Sequence, residues 1–150
     1  MTQIITAAAG FLIAVLWFDL MFDTQVWRHR RSPQVPEAAL ESIAAYYHRV
    51  TTTASPMGRL VGLVMVVLLA ALTMQAISGD EPLWVSAVSI PAALIGIGLA
   101  VARIFRWARR LGTRRDPPAV QSELARGIFR AHLVCLAAML TVLAVPLTGA

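Results

Sequence analysis

Lysine is absent from this sequence, cysteine occurs once, and charged residues make up only 14% of the chain. The single cysteine excludes an intramolecular disulfide framework, and the position of Cys135 within an apolar run is typical of a buried structural thiol. Hydrophobic residues make up 58% of the chain, and the mean hydropathy is +0.70. This composition excludes an ordinary soluble domain and favours a membrane protein.

The basic residues are all arginine, and the formal net charge is +5. Strong basicity can indicate a nucleic-acid partner, which is recognised by basic residues clustered on one face. Here the arginines cluster at the ends of apolar runs, as they do where membrane helices meet the cytoplasm. We therefore expect the lipid bilayer, and no nucleic acid, as the partner.

Four apolar runs are long enough to cross a bilayer, since about 20 residues of helix span the hydrocarbon layer. The sequence predicts a single all-α domain over 1–150, a bundle of four transmembrane helices. Between the first two spans, the segment from Pro36 to about Val50 has Leu40, Ile43 and Tyr47 at helical spacing. It predicts a short amphipathic helix that lies on the membrane or packs under the bundle. The alternative is that this segment extends the second span into the cytoplasm. The predicted spans are 4–22, 57–77, 83–102 and 131–147, with cytoplasmic loops 23–56 and 103–130.

The distribution of arginine predicts the orientation in the membrane. Every arginine lies in one of the two long loops or in a span end next to them. The turn with Asp80 and Glu81 contains no arginine, and the two chain ends contain none. Arginine-rich loops remain cytoplasmic. We expect a multi-pass protein of the plasma (inner) membrane with both termini facing away from the cytoplasm.

Two aspartates at the end of the first span are the first candidates for function. Asp19 and Asp23 are four residues apart and so share a helix face. Arg126 and Arg130 repeat this spacing on the antiparallel fourth span, which predicts the pairs Asp23–Arg126 and Asp19–Arg130. Independent snorkelling of all four side chains to the interface is the alternative. A metal site is not predicted, because no second acidic motif accompanies the aspartates.

Histidines near the cytoplasmic ends of the spans suggest a cofactor site. His132 lies about one turn into the fourth span, and His48 lies in the loop helix. Two histidines can hold a haem iron. With Trp17 and Tyr47, they form a candidate pocket for haem b or a quinone. The alternative is that these histidines are interfacial and bind no ligand.

The chain resembles, at the level of pattern, a group of small four-helix bacterial membrane proteins. The group includes the short bacterial type of protoporphyrinogen oxidase and copper-resistance membrane domains, and the resemblance implies a four-helix fold. The oxidase family has a histidine before the tryptophan of its first span and a lysine, whereas this chain has Leu16 there and no lysine. No catalytic residue is carried over from it. The matching segments are Trp17-Phe18, Tyr46-Tyr47-His48-Arg49 and Ser55-Pro56-Met57.

Three functional classes follow from these observations. The first is a structural or accessory protein that associates with itself or with a larger membrane complex, because small residues favour close helix contacts. The second is a membrane oxidoreductase that binds haem or quinone on the cytoplasmic side. The third is an oligomeric transporter of ions or small solutes, gated by Asp19 and Arg130. In each class, a collar of arginines is expected to attract anionic lipid headgroups, through Arg103, Arg106, Arg109, Arg110, Arg114 and Arg115.

Overall fold

The computed structural model describes residues 1–79 and 81–148, and in these residues all regular structure is helical. Asp80 of the predicted turn and the two C-terminal residues lie outside them. The predicted all-α class is thus confirmed for the described residues. The helices are α1 (Thr2–Arg28), α2 (Glu37–Thr51), α3 (Ser55–Ser78), α4 (Leu83–Leu99), one π turn (Ala100–Ile104), α5 (Phe105–Gly112) and α6 (Pro118–Thr148).

Four helical segments are long and apolar enough to cross a membrane by length and composition. They indicate a multi-pass membrane protein. Each extends beyond the predicted span at its arginine-bearing end, because the helix continues past the apolar run. The segments are Thr2–Arg28, Pro56–Ser78, Leu83–Gly112 and Pro118–Pro146.

Helix α2 begins and ends where local chemistry favours it. Pro36 precedes its first residue, Glu37 lies in its first turn, and His48 and Arg49 lie in its last turn. These charges complement the helix dipole. Leu40 and Ile43 are fully buried, so α2 packs its apolar face against the bundle, one of the two predicted placements.

The third membrane segment departs from a regular helix at one place. Pro91 lies inside α4 without ending it. The π turn follows, and α5 continues in the same direction to Gly112. The helix therefore extends past the predicted end of the span at residue 102 and into the segment 103–130, which was expected to be a loop. The π turn was not predicted, since a single-turn π bulge leaves no compositional signal.

The packing divides into two hydrophobic clusters along the bundle. One lies at the end where α1 begins and includes Ile5, Leu72 and Val142. The other lies at the opposite end and includes Leu111 and Ile128 together with the apolar face of α2. We call this second end the arginine-rich end, since helix ends there carry Arg28, Arg59, Arg109, Arg110 and Arg126.

Hydrogen bonds attach the loop before α2 to α6. The Ser122 hydroxyl accepts a bond of 3.0 Å from the backbone N–H of Val35. The Arg126 guanidinium donates to the carbonyl oxygen of Ser32 at 2.6 Å. Arg114 forms an ion pair with Glu37 at the start of α2. These contacts hold α2 across the arginine-rich end, where its tyrosines face α1 and α6.

Candidate functional site

A buried carboxylate lies at the centre of the arginine-rich end. Asp23 is fully buried in α1, and its Oδ1 accepts a hydrogen bond of 2.7 Å from the Tyr47 hydroxyl. Its Oδ2 lies 2.6 Å from Nδ1 of His132 on α6. An ionised Asp23 can only accept hydrogen bonds, and with it Nδ1 carries the proton. The interaction therefore fixes the orientation of the imidazole.

The second carboxylate faces the other ring nitrogen of the same histidine. Asp19 Oδ2 lies 3.7 Å from His132 Nε2, and Asp19 Oδ1 accepts a hydrogen bond of 2.7 Å from the Tyr46 hydroxyl. The spacing of four residues on α1 and the adjacency of the two tyrosines on α2 create this arrangement. We call Asp19, Asp23, Tyr46, Tyr47 and His132 the carboxylate–histidine cluster.

The tyrosines act as hydrogen-bond donors in this cluster. Burial and the nearby Asp19 raise the pKa of Tyr46 above its ordinary range. Burial and the adjacent Asp23 do the same for the pKa of Tyr47. Both hydroxyls thus stay protonated at neutral pH and keep donating to the carboxylates. Tyr46 also stacks on Phe22, with ring centroids 4.1 Å apart.

A cavity of about 410 Å³ lies beside the cluster. Its volume is at the lower end of the range for small-molecule sites. Its polar residues lie at the arginine-rich end and include Asp19, His132 and Tyr46. The walls further into the bundle are apolar and include Leu12, Val61, Met65, Ile97 and Met139. The cavity is therefore amphipathic along the bundle axis.

A gap between two helices opens this cavity sideways. Helix α3 contacts α4, yet within the described residues no Cα atom of α3 lies within 8 Å of one in the π turn or α5. Residues from both sides line the cavity, among them Met57 and Phe105, which are 48% and 43% exposed. In a helix that spans a membrane, the exposed side chains on both sides of this gap would face lipid.

The residues predicted to form the cofactor pocket are only partly brought together. His132 and Tyr47 line the cavity and are linked through Asp23. Trp17 is 64% exposed and does not line it. His48 is exposed and lines a separate surface pocket with Glu41. The side chains present therefore do not fit a haem held by these two histidines.

The predicted aspartate–arginine pairs are replaced by other partners, which corrects the expectation. Asp23 and Asp19 interact with His132 and the tyrosines, as described above. Arg126 instead donates to the carbonyl oxygens of His29, Ser32 and Pro33. Arg130 is exposed. The reason is the rotation of α6, which turns His132 toward α1 and Arg130 away from it.

Sequence reasoning missed four residues that line the cavity with polar side chains, namely Tyr46, Thr51, Arg59 and Arg109. From the sequence, Tyr46 was noted only as part of the resemblance. Its position next to Tyr47, on a helix that packs near two carboxylates, was nevertheless a usable signal. Arg59 was interpreted as an orientation signal and Arg109 as part of the arginine collar, but both line the cavity. No pattern within either helix marks them, because they are brought together by tertiary packing.

A metal centre is not evident in residues 1–79 and 81–148, where no group of three or more histidine, cysteine, aspartate or glutamate side chains is placed to hold an ion. The cluster places an imidazole nitrogen and a carboxylate that is hydrogen-bonded to Tyr46 at the polar end of an apolar cavity. Comparison with protein-family models, with curated proteins and with solved structures finds no match.

Proposed function

We propose that the protein is a four-span plasma-membrane protein that binds a lipid-soluble molecule with a polar headgroup. The observation that carries this proposal is the amphipathic cavity that opens between α3 and α5. A molecule dissolved in the bilayer would reach this cavity without crossing water. Its apolar part would contact Met65 and Met139, and its headgroup would lie near Asp19 and His132.

Intramembrane ionisable groups support a binding role over a purely structural one. Charged side chains inside a membrane segment are costly and usually mark a functional site. Asp19 and His132 border the cavity rather than being sealed within the core. A quinone suits such a site as a neutral test molecule, because it dissolves in the bilayer and carries polar carbonyl oxygens at one end of an apolar molecule.

Photocrosslinking with a lipid that carries a diazirine in its acyl chain tests this proposal in nanodiscs. Crosslinks are expected at Cys135 and Met139, which line the cavity but are each only 3% exposed. A lipid confined to the outer surface of the bundle would not reach them. Crosslinks limited to outward-facing residues such as Ile95 would contradict the proposal.

A leucine at Gly58 should close the cavity without disturbing the fold. Gly58 lines the cavity, and a Cβ placed there would have nothing within 4 Å. The Gly58→Leu variant is expected to lose most crosslinking at Cys135 and Met139 while keeping its thermal unfolding midpoint. Gly98→Leu is the matched control, because its Cβ would also be in open space and Gly98 does not line the cavity. Equal crosslinking in both variants would argue against access through this gap.

A structural or accessory role through self-association is the second candidate. Gly10, Gly58, Gly62 and Gly98 each leave open space beside the backbone, where a Cβ would meet nothing within 4 Å. Small residues on outward faces allow a second helix to approach closely. Native mass spectrometry in mild detergent would detect the resulting homo-oligomer. For the oligomeric transporter alternative no described contact gives support, since Asp19 bonds to Tyr46 and Arg130 is exposed.

The proposed orientation places the arginine-rich end in the cytoplasm and both termini outside it. Alkaline phosphatase fused after the last residue is then expected to be active, because it folds only outside the cytoplasm. A fluorescent protein fused at the same position is expected to be dark when the chain is exported in the unfolded state. A bright fluorescent fusion together with inactive phosphatase would reverse the orientation.

A further inference from the structure

We propose that the molecule bound in the cavity is a membrane lipid with an anionic headgroup, held by Arg59 and Arg109. This inference rests on the proposed function and names the class of its ligand. Arg59 comes from the start of α3 and Arg109 from α5, the two helices that the gap separates. Both side chains line the cavity at its polar end.

These two arginines lack the protein partners that three other arginines at the same end of the bundle have. Arg110 forms an ion pair with Asp116 at 2.8 Å, and Arg114 forms one with Glu37. Arg126 donates to backbone carbonyl oxygens. Arg59 and Arg109 form no hydrogen bond or ion pair with the described residues. Their guanidinium groups are thus available to an external acceptor, and guanidinium binds phosphate well through its forked donors.

The charge balance inside the cavity is compatible with an anion at its mouth. Asp19 is the acidic side chain among the lining residues, and its oxygens face Tyr46 and His132. They therefore do not face the headgroup as free acceptors. The apolar walls deeper in the bundle would accommodate an acyl chain, which distinguishes this site from one for free phosphate.

The geometry also differs from that of a general basic collar. Arg103 and Arg106 lie on the same membrane segment and are exposed, but neither lines the cavity. Arg103 lies over the ring of Trp107, at 5.7 Å from its centroid. A collar would attract anionic lipids through all of these residues alike, whereas a site would depend on Arg59 and Arg109.

Native mass spectrometry of the full chain released from nanodiscs tests the inference. The discs contain phosphatidylglycerol and phosphatidylcholine with identical acyl chains. The wild-type protein is expected to retain phosphatidylglycerol over phosphatidylcholine by roughly tenfold or more, since each arginine near the headgroup favours the anionic lipid several-fold. The Arg59→Gln/Arg109→Gln variant should lose most of this preference. Arg103→Gln/Arg106→Gln, which removes the same charge, should keep it.

The outcomes separate the inference from the proposed function. Equal losses in the two double variants would overturn the site and leave only a collar. Retention of a neutral quinone or of phosphatidylcholine at wild-type levels by Arg59→Gln/Arg109→Gln, with crosslinks still at Met139, would overturn the inference and preserve the proposed function. Binding of inorganic phosphate in phosphatidylcholine discs, with no lipid retained, would overturn the assignment to a lipid. Absence of any bound molecule and of crosslinks at Met139 would overturn both.

Discussion

Replacement of Asp23 by leucine is expected to lower the free energy of unfolding by about 2–6 kcal/mol, because each of the two buried donors that it leaves unpaired costs about 1–3 kcal/mol. The carboxylate is fully buried, and it accepts hydrogen bonds from Tyr47 and His132. Without it, two buried donors have no acceptor. The measurement is an SDS titration of the purified protein, followed by circular dichroism.

Two companion variants show whether the loss arises from the cluster itself. Asp23→Asn keeps an oxygen that can accept from Tyr47, so it should lose less stability than Asp23→Leu. Asp23→Leu/His132→Leu removes both partners and should recover part of the loss, because an apolar pair leaves fewer buried polar groups unpaired. Strict additivity of the two single substitutions would mean that Asp23 and His132 do not stabilise each other.

The sequence was sufficient to predict the four long apolar helices because membrane segments carry a strong local signal. A run of about 20 apolar residues has few alternatives in a bilayer, where backbone groups must be hydrogen-bonded within the helix. The loop helix was equally predictable, since Leu40, Ile43 and Tyr47 repeat at helical spacing and are all buried. The shared face of Asp19 and Asp23 was predictable for the same reason.

The partners of those aspartates could not be predicted from spacing alone. Spacing shows which residues of α6 share a face, but not which face points toward α1. Arg130 and His132 are two residues apart, so they point about 200° apart around a helix. His132 belongs to the stripe of Ile128, Cys135 and Met139, and these four residues are buried. Burial of that apolar stripe turns Arg130 outward, and the arginine pairs cannot form.

The cavity could not be predicted from the sequence either. It forms where two helices diverge, and no particular pair of interacting residues marks it. Its walls are ordinary apolar side chains of membrane helices. The gap appears where α3 leaves α4 and the chain passes through the π turn. Ala100 and Ile104 of this turn both line the cavity. Bulges of this kind occur frequently at functional sites, which agrees with the proposed ligand.

The close contact between α2 and α5 is the second feature whose loss should have a large effect. A Cβ at Gly112 would lie 2.8 Å from the backbone nitrogen of His48 and 3.0 Å from its Cα. Backbone atoms cannot rotate away as a side chain can, so any larger residue must push α2 off the bundle. Tyr46 and Tyr47, on the same helix, would then move away from Asp19 and Asp23.

Gly112→Val is accordingly expected to destabilise the protein by about 1–3 kcal/mol, the usual range for overpacking, and to increase hydrogen exchange throughout α2. Gly98→Val is the control, since its side chain would project into open space and it makes the same glycine-to-valine change within a helix. Gly112→Val should also lose crosslinking at Cys135 and Met139, because Tyr46, Tyr47 and Thr51 of α2 form one wall of the cavity. If the two variants have the same stability and the same exchange in α2, the contact at Gly112 does not hold α2 in place, and the cavity does not depend on it.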